Sequence, residues 1–410
     1  MFNSLKRVWA LIGVTAAVAA IAATSAVASH KAGPTIVIWT DANRTAAVTK
    51  VANDWAAKSG ATIKVVTKNF GDIRDNLGTI DTADAPDVIT AAHDWTGQLA
   101  ANGLVEPIFL SNATKKQFPT YTVNAFSYGT AVKKLYGVPT SVENIGLVVN
   151  TKLAKVPTTF KQLETEALQV KKAKHQTFGI AVQQGASGDA YHMYPFFSGL
   201  GGYIFGLNHA GNLDPSDIGV ANPTFLKNAS LIDKWNKEGL INSKVDSSAA
   251  QNAFLKQQTA FWVTGPWNAA LLKQSGLSFK VVQMPAIVKP SVPFLGVQGF
   301  MVTKFASAHG VDSAAKDLVT NYMATPAAQT LLAAANDRPP ASLKAKSSDP
   351  VLAQFSAASK GGVPMPNIPQ MNSVWSDLGA AWVRSTKGAG AMPAAKSFKD
   401  AARSIADKIG

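Results

Sequence analysis

The sequence predicts an α/β protein built on more than one core, and three observations carry that reading. Apolar runs of strand length recur at 35–39 (TIVIW), 62–66 (TIKVV) and 86–90 (PDVIT), bounded by turn residues. Between the first two, Val48, Val51, Ala52, Trp55 and Ala56 recur at helical spacing and stop at Gly60. The chain has 410 residues, 47% of them apolar and 16% charged, which is material for two or three domains of about 100–200 residues each.

Strand, helix and strand in this rhythm predict a parallel or mixed sheet flanked by helices. Farther along, FGIAV (178–182) reads as a strand and Pro223 to Glu238 as one amphipathic helical stretch. FLGVQGFMV (294–302) is extended but too isolated to begin a domain, so it is expected to join an existing sheet. The segments beginning at Asp312 and Thr325 read as two helices, with both residues suited to N-caps and Pro326 to the first helical position. Near the end, MPNIPQMNSVW (365–375) carries two prolines that fix φ and hold their predecessors extended. That stretch predicts a stiff loop running into a helix that presents Trp375.

The first 28 residues read differently. Lys6 and Arg7 precede an uncharged run from Trp9 that ends in Ala26-Val27-Ala28, the pattern of a cleaved signal peptide. The alternative is an uncleaved anchor, since Trp9 to Ala28 is nearly long enough to span a bilayer. Export to a periplasm is expected, with secretion or anchoring by the leader as alternatives. The chain has no cysteine, which excludes disulfides, thiolate metal sites and lipid attachment through an N-terminal cysteine. Its net charge of +14 becomes +12 without Lys6 and Arg7. The lysines fall in scattered pairs (115–116, 133–134, 171–172) with no stripe, so a solvated basic surface is expected and not a nucleic-acid partner.

Catalytic signatures are scarce. The sequence has no G-x-S-x-G, H-E-x-x-H or phosphate-cradling glycine motif, and GLGGYIFG (199–206) does not fit dinucleotide spacing. The six histidines form no ligand cluster; His93 and His192 read as structural or hydrogen-bonding residues. No cofactor or metal is expected, and nothing points to an enzyme. What recurs instead is tryptophan and tyrosine beside Asp, Glu, Asn and Arg at element ends. Sugars present apolar C–H faces and a rim of hydroxyls, so a site for them needs flat rings to stack on and charged or amide groups to bond OH.

APDVITAAHDWTG (85–97), YGVPTSVENIGLVVN (136–150), VTGPWNAA (263–270), PFLGV (293–297) and PMPNIPQMNSVW (364–375) together resemble the extracellular solute-binding proteins of ATP-driven sugar importers, in the maltose/maltodextrin-binding branch. The resemblance runs from IVIW to the C-terminus. It implies a two-lobed periplasmic-binding-protein fold, with leader 1–28, one lobe from 29–140 and 298–345, and the other from 141–297 and 346–410. Three chain crossings would form the hinge. It also implies a monomer that closes on maltose or a maltodextrin and docks on the membrane subunits of an ABC permease.

Carried over residue by residue, the resemblance implies that Asp41, Asn43 and Arg44 bond sugar hydroxyls, the alternative being a helix N-terminus capped by Asp41 and Asn43. Arg44 stands where the family often has lysine. Asp94 is expected to accept hydroxyl protons. Trp95 beside it is a departure: the best-known family member has arginine there and a tryptophan on the strand side, where this chain has Ala91. Trp95 reads as a stacking ring moved within one patch, or as lobe core. Glu143 is expected to clamp hydroxyls or to form an interlobe salt bridge. Tyr191 is implied as a ring and Asp189 as an acceptor, after an insertion that blurs the alignment at Asp189. Trp267 and Trp375 are the principal plates, and Met365 is an apolar contact or packing. Gly379 stands where the familiar member has an arginine.

Overall fold

Among the described residues, ten strands build the two main sheets: β1 (Thr35–Asp41), β2 (Thr62–Lys68), β3 (Val88–Ala92), β4 (Gly137–Glu143), β5 (Gly146–Asn150), β6 (Ile180–Val182), β7 (Phe261–Thr264), β8 (Phe279–Val282), β9 (Phe294–Val302) and β10 (Val363–Pro364). They are described in a computed structural model that covers residues 33–129, 132–335 and 337–410. The leader expected at 1–28 lies outside the described residues. Among the described residues no helix is long and apolar enough to cross a membrane.

The first sheet runs β10-β9-β3-β1-β2, with β4 also paired to β9. β1 is parallel to β2 and β3, whereas β9 is antiparallel to β3 and β4. The second sheet runs β8-β5-β7-β6, with β5 antiparallel to both of its neighbours. Every residue of β3 is buried, as in a strand covered on both faces. The isolated run at 294–302 thus completes the first sheet from within.

Local chemistry accounts for the helices. The Thr45–Ser59 helix buries Val48, Val51, Ala52, Trp55 and Ala56 and ends at Gly60, whose φ of 73° lets its N–H return to the Ala56 carbonyl. Thr159 and Gln162 form a reciprocal capping box on the Phe160–Ala173 helix. Thr325 caps the Pro326–Ala335 helix through Ala328 N at 3.3 Å. Asp312, expected to cap, is instead the first helical residue, and its carboxylate pairs with Lys316 one turn on. The amphipathic stretch from Pro223 divides into Pro223–Asn228 and Ser230–Glu238. At Ala229 the ladder tightens to an i→i−3 bond with the Leu226 carbonyl, while the Asn228 side-chain amide donates to both Thr224 O and Leu200 O.

Two bodies of core result. One gathers buried side chains from Ile36 to Val138 and again from Val297 to Ala341. The other, in two clusters, gathers them from Ile145 to Phe294 and from Val351 to Ile405. The chain therefore passes between lobes three times, and β9 carries one end into each core. His93, buried, bonds at this junction. Its Nδ1 accepts from Val297 N at 3.1 Å, which leaves the proton on Nε2 to donate to the Met365 carbonyl at 3.0 Å. Burial pushes its pKa down to about 4, so the imidazole is a neutral strut.

Candidate functional site

Strand ends position the first wall of a cavity of about 500 Å³. β1 ends at Asp41, where the chain turns sharply: Arg44 N bonds Asp41 O, and Asp41 Oδ1 accepts from Asn43 N. Asp41 Oδ2 takes Arg44 Nη1 at 2.6 Å. Neither Asp41 nor Asn43 caps the helix that follows, whose N-cap residue, Arg44, makes no side-chain capping bond. Burial, with Arg338 nearby, lowers Arg44 to about 10, and it remains charged at neutral pH. Its guanidinium lies 4.8 Å from the Phe70 ring centre.

β3 ends at Ala92 and hands the chain to a turn, His93–Trp95. Trp95 is 5% exposed and belongs to the first core, and it also lines the cavity. Phe70 packs against it at 4.5 Å with the rings tilted by 35°, and Arg74 lies 5.7 Å from its centre. Asp94 presents its carboxylate beside it, and burial raises that group to about 6 against the opposing pull of Arg74.

The floor is made by the crossings. Glu143, at the end of β4, pairs with Arg338 and accepts from Gln298 Nε2 at 2.9 Å. Burial would raise this carboxylate, but Arg338 and then Arg44 hold it below its ordinary value. Arg338 also lies 5.6 Å from the Trp267 ring centre, so one guanidinium serves an ion pair and an aromatic plate. Met365 is buried at the same floor.

The second lobe supplies the other wall. After β7 the turn Pro266–Asn268 carries Trp267. Gly265 makes room for it, since a Cβ there would lie 2.2 Å from the indole Cη2. Tyr191 stands in the first turn of the Ala190–Gly199 helix, its ring stacked on Phe294 at 6.2 Å and 18° and tilted toward Trp267 at 6.3 Å. Trp375 comes from the Met371–Thr386 helix, set edge-on to Phe294 at 5.8 Å. The loop before that helix is pinned across the lobes, where Asn367 Nδ2 lies within 3.2 Å of the carbonyls of Asn124, Ala125 and Ser127.

Asp41, Asn43, Arg44, Asp94, Trp95, Glu143, Tyr191, Trp267, Met365 and Trp375 all line this one cavity. Asp189 stands outside the lining. It caps the Ala190–Gly199 helix and bonds Gln183 and His192, both of which do face the cavity. Sequence reasoning missed Phe70, Arg74, Gln183, Gln298, Ser247 and Arg338, and read His192 only as a structural or hydrogen-bonding residue. Phe70 and Arg74 had a usable signal, an aromatic and a cation one helical turn apart directly after a strand. The Gly379 departure has a steric cause. A Cβ on Gly379 would lie 2.8 Å from the Ser187 carbonyl oxygen, so a side chain there meets the backbone of the 185–188 loop. The loop before Tyr191 fills the space a long side chain would need.

Several buried polar atoms of this cavity have no protein partner: Arg44 Nε, Asp94 Oδ1, Tyr191 OH, His192 Nε2 and Gln298 Oε1. Each costs about 1–3 kcal/mol unless something bonds it. Burial also raises the Tyr191 phenol well above its ordinary value, so it stays protonated and can donate. A larger cavity of about 660 Å³ shares Met365 but is lined by groups such as Tyr121, Tyr128 and Asn212, and none of those unpartnered atoms belongs to it. Among the described residues, no group of three or more His, Asp or Glu is placed to hold a metal ion. The chemistry on offer is stacking and hydrogen bonding.

Comparison with known proteins agrees with this geometry. A family model described as bacterial extracellular solute-binding protein matches residues 50–358. A galactooligosaccharide-binding protein of Bacillus subtilis (strain 168) is 27% identical over 87% of this chain and 86% of its own. A maltodextrin-binding protein of the same organism is 28% identical over 86% and 84%. Among solved structures, a Thermus thermophilus maltotriose-binding protein bound with maltotriose superposes with TM-score 0.78 at 26% identity, over 92% of this chain and 100% of that one. An extracellular solute-binding protein from Staphylococcus aureus in complex with maltose gives TM-score 0.72 at 26% identity, over 92% and 97%. With two lobes, three crossings and a cavity between them in which several buried polar atoms lack a protein partner, the chain belongs to the family of bacterial extracellular solute-binding proteins.

Proposed function

We propose that this protein binds maltose or a longer maltodextrin between its lobes and delivers it, as a monomer, to the membrane subunits of an ABC sugar importer. One observation carries the reading: aromatic plates and unpartnered buried hydrogen-bonding atoms share a single cavity. Trp95, Tyr191, Trp267 and Trp375 supply faces for pyranose C–H surfaces. Asp94, Arg44, Gln298 and His192 supply atoms that need hydroxyl partners. The lining charges balance, with Asp41, Asp94 and Glu143 against Arg44, Arg74 and Arg338, which suits a neutral ligand. Relatives named for maltodextrin and maltotriose binding support the choice of sugar.

The lobe boundaries at 140/141, 297/298 and 345/346 are part of the proposal. The first and third are supported by the change of core between Val138 and Ile145 and between Ala341 and Val351; at the middle crossing the change falls between Phe294 and Val297, just ahead of 297/298. A periplasmic location follows from the leader reading. The site acts by binding and not by chemistry. A glycosidase places two carboxyl groups about 5–9.5 Å apart to work on one bond; of the pair imaginable for that work, Asp94 and Glu143, Glu143 is committed to the Arg338 guanidinium and one oxygen of Asp94 to the Trp375 indole.

A second reading is a carrier of the same kind for another oligosaccharide, favoured by the galactooligosaccharide-binding relative. Titration of intrinsic tryptophan fluorescence with maltose, maltotriose, trehalose, a cyclodextrin and galactotetraose separates the two. Response to the maltodextrins sustains the proposal; response to galactotetraose alone replaces it with the second reading; silence from all five removes both. Maltotriose returned intact after long incubation is the expected result for a carrier.

A further inference from the structure

We propose that His192 contacts the ligand, its Nε2 bonding a sugar hydroxyl, and that Asp189 is a positioning residue that acts through it; this rests on the oligosaccharide reading above. His192 is 5% exposed, and its Nε2 is a buried atom without a partner, in a residue that lines the cavity. Its other nitrogen is fully committed: Nδ1 lies 2.8 Å from Asp189 Oδ2.

The Asp189 carboxylate is built to hold that arrangement. Oδ1 accepts from His192 N at 2.9 Å, which is the helix N-cap bond, and Oδ2 also accepts from Gln183 Nε2 at 2.7 Å. An ionised carboxylate can only accept, so Nδ1 carries the proton. In the neutral ring Nε2 is then a bare acceptor, with its tautomer fixed from behind in the way that carboxylates orient metal-ligating and catalytic histidines. The ring itself is wedged edge-on between Trp267, at 5.6 Å and 75°, and Tyr191, at 5.8 Å and 74°. The hydrogen-bonding atom is thereby fixed beside two plates that receive sugar faces. A hydroxyl both donates and accepts, so it satisfies Nε2, and an apolar ligand leaves it unpaired.

The arrangement also explains why Asp189 does not face the cavity. Its two oxygens are spent on Gln183 and His192, and its influence on the ligand passes through the imidazole.

The test uses the full-length protein with three substitutions, His192→Phe, His192→Gln and Asp189→Asn. Asparagine caps helices as well as aspartate does, so D189N removes the charge that fixes the tautomer and keeps the cap. Binding of maltotriose, with galactotetraose in a parallel arm, is read by tryptophan fluorescence alongside Tm, and the His192 ring nitrogens are followed by 15N NMR. We expect H192F to weaken binding about tenfold or more, the equivalent of one lost hydrogen bond in a buried site, with no loss of Tm. H192Q should retain most of the affinity. The Nε2 resonance should move when sugar is added while Nδ1 stays, and D189N should show mixed tautomers and weaker binding. If the wild-type protein binds but its Nε2 resonance does not move, or H192F binds as well as wild type, this inference fails and the oligosaccharide reading survives. If the wild type ignores both sugars, the two fall together.

Discussion

The indole Nε1 of Trp375 donates to Asp94 Oδ2 at 3.2 Å, a bond from the second lobe to the first across the candidate cleft. It joins residues 281 positions apart, and it leaves Asp94 Oδ1 buried and bare. One carboxylate thus bonds across the cleft with one oxygen and keeps the other bare within the cavity. Under the proposed function, closure and recognition would share this residue, as expected where ligand binding favours the closed form.

Asp94 should trade stability for binding. Its native pKa of about 6 lies above the ordinary 3.8, burial being the main cause. Between those values the folded protein holds a proton that the unfolded chain releases. Its contribution is therefore fully present in acid and is lost as pH rises through about 6, a cost of roughly 3 kcal/mol at neutral pH. Asp94→Asn should raise the urea midpoint at pH 7.5, with a smaller gain at pH 5, and should weaken sugar binding at both. Denaturation at the two pH values checks the sign.

The four candidate plates should separate into two classes. Trp267 and Trp375 are partly exposed, whereas Trp95 is 5% exposed within the first core. Trp267→Ala and Trp375→Ala should cost roughly 1.5–3 kcal/mol of ligand affinity, about 10- to 100-fold, with modest effects on folding. Trp95→Ala should cost about 3–5 kcal/mol of stability as well. Paired fluorescence titrations and urea melts distinguish the classes.

The Glu143–Arg338 pair is buried on both sides. Removing one partner leaves an uncompensated charge, which costs about 3–5 kcal/mol, whereas replacing both with neutral groups of similar volume recovers much of that loss. Arg338→Met should therefore be markedly destabilising, and adding Glu143→Gln should restore stability. A double-mutant cycle in urea measures the coupling. Because the Glu143 pKa is depressed, the stability it brings is present at neutral pH and is lost in acid as the pH falls through the folded value.

Some of this was legible in the sequence and some was not, for physical reasons. The buried runs of β1 and β9 and the Trp55 face of the first helix are local patterns, and periodicity reports them directly. The placement of Trp267 and Trp375 together came through resemblance, because no local rule brings a turn at 266–268 beside a helix at 371–386. Arg338 left no signal: its partner Glu143 is 195 residues away, and long-range pairing has no local signature. Gly379 was legible as a missing group, but its cause lies in the 185–188 loop packed against it. His192 was read as ordinary because the meaning of its free nitrogen depends on Asp189 holding the other one.

A last prediction concerns the base of the first lobe, far from the cleft. His309 Nδ1 lies 2.7 Å from Asp87 Oδ1 and its Nε2 lies 2.7 Å from the Thr82 carbonyl. Both partners only accept, so the protonated imidazole, with a proton on each ring nitrogen, satisfies both. Burial opposes this, but the Asp87 and Thr82 bonds prevail and raise its pKa above 6.5. Asp87 is wholly buried, and its second oxygen takes Val37 N at 2.7 Å, so the same carboxylate secures the start of β1. A group with a raised folded-state value stabilises fully below its unfolded value and loses that contribution as pH rises through the folded one. His309→Ala should therefore lower Tm at pH 6 by more than at pH 9, and the gap between wild type and variant should narrow steadily between them. An equal gap at both pH values would show that the ring contributes packing and not charge.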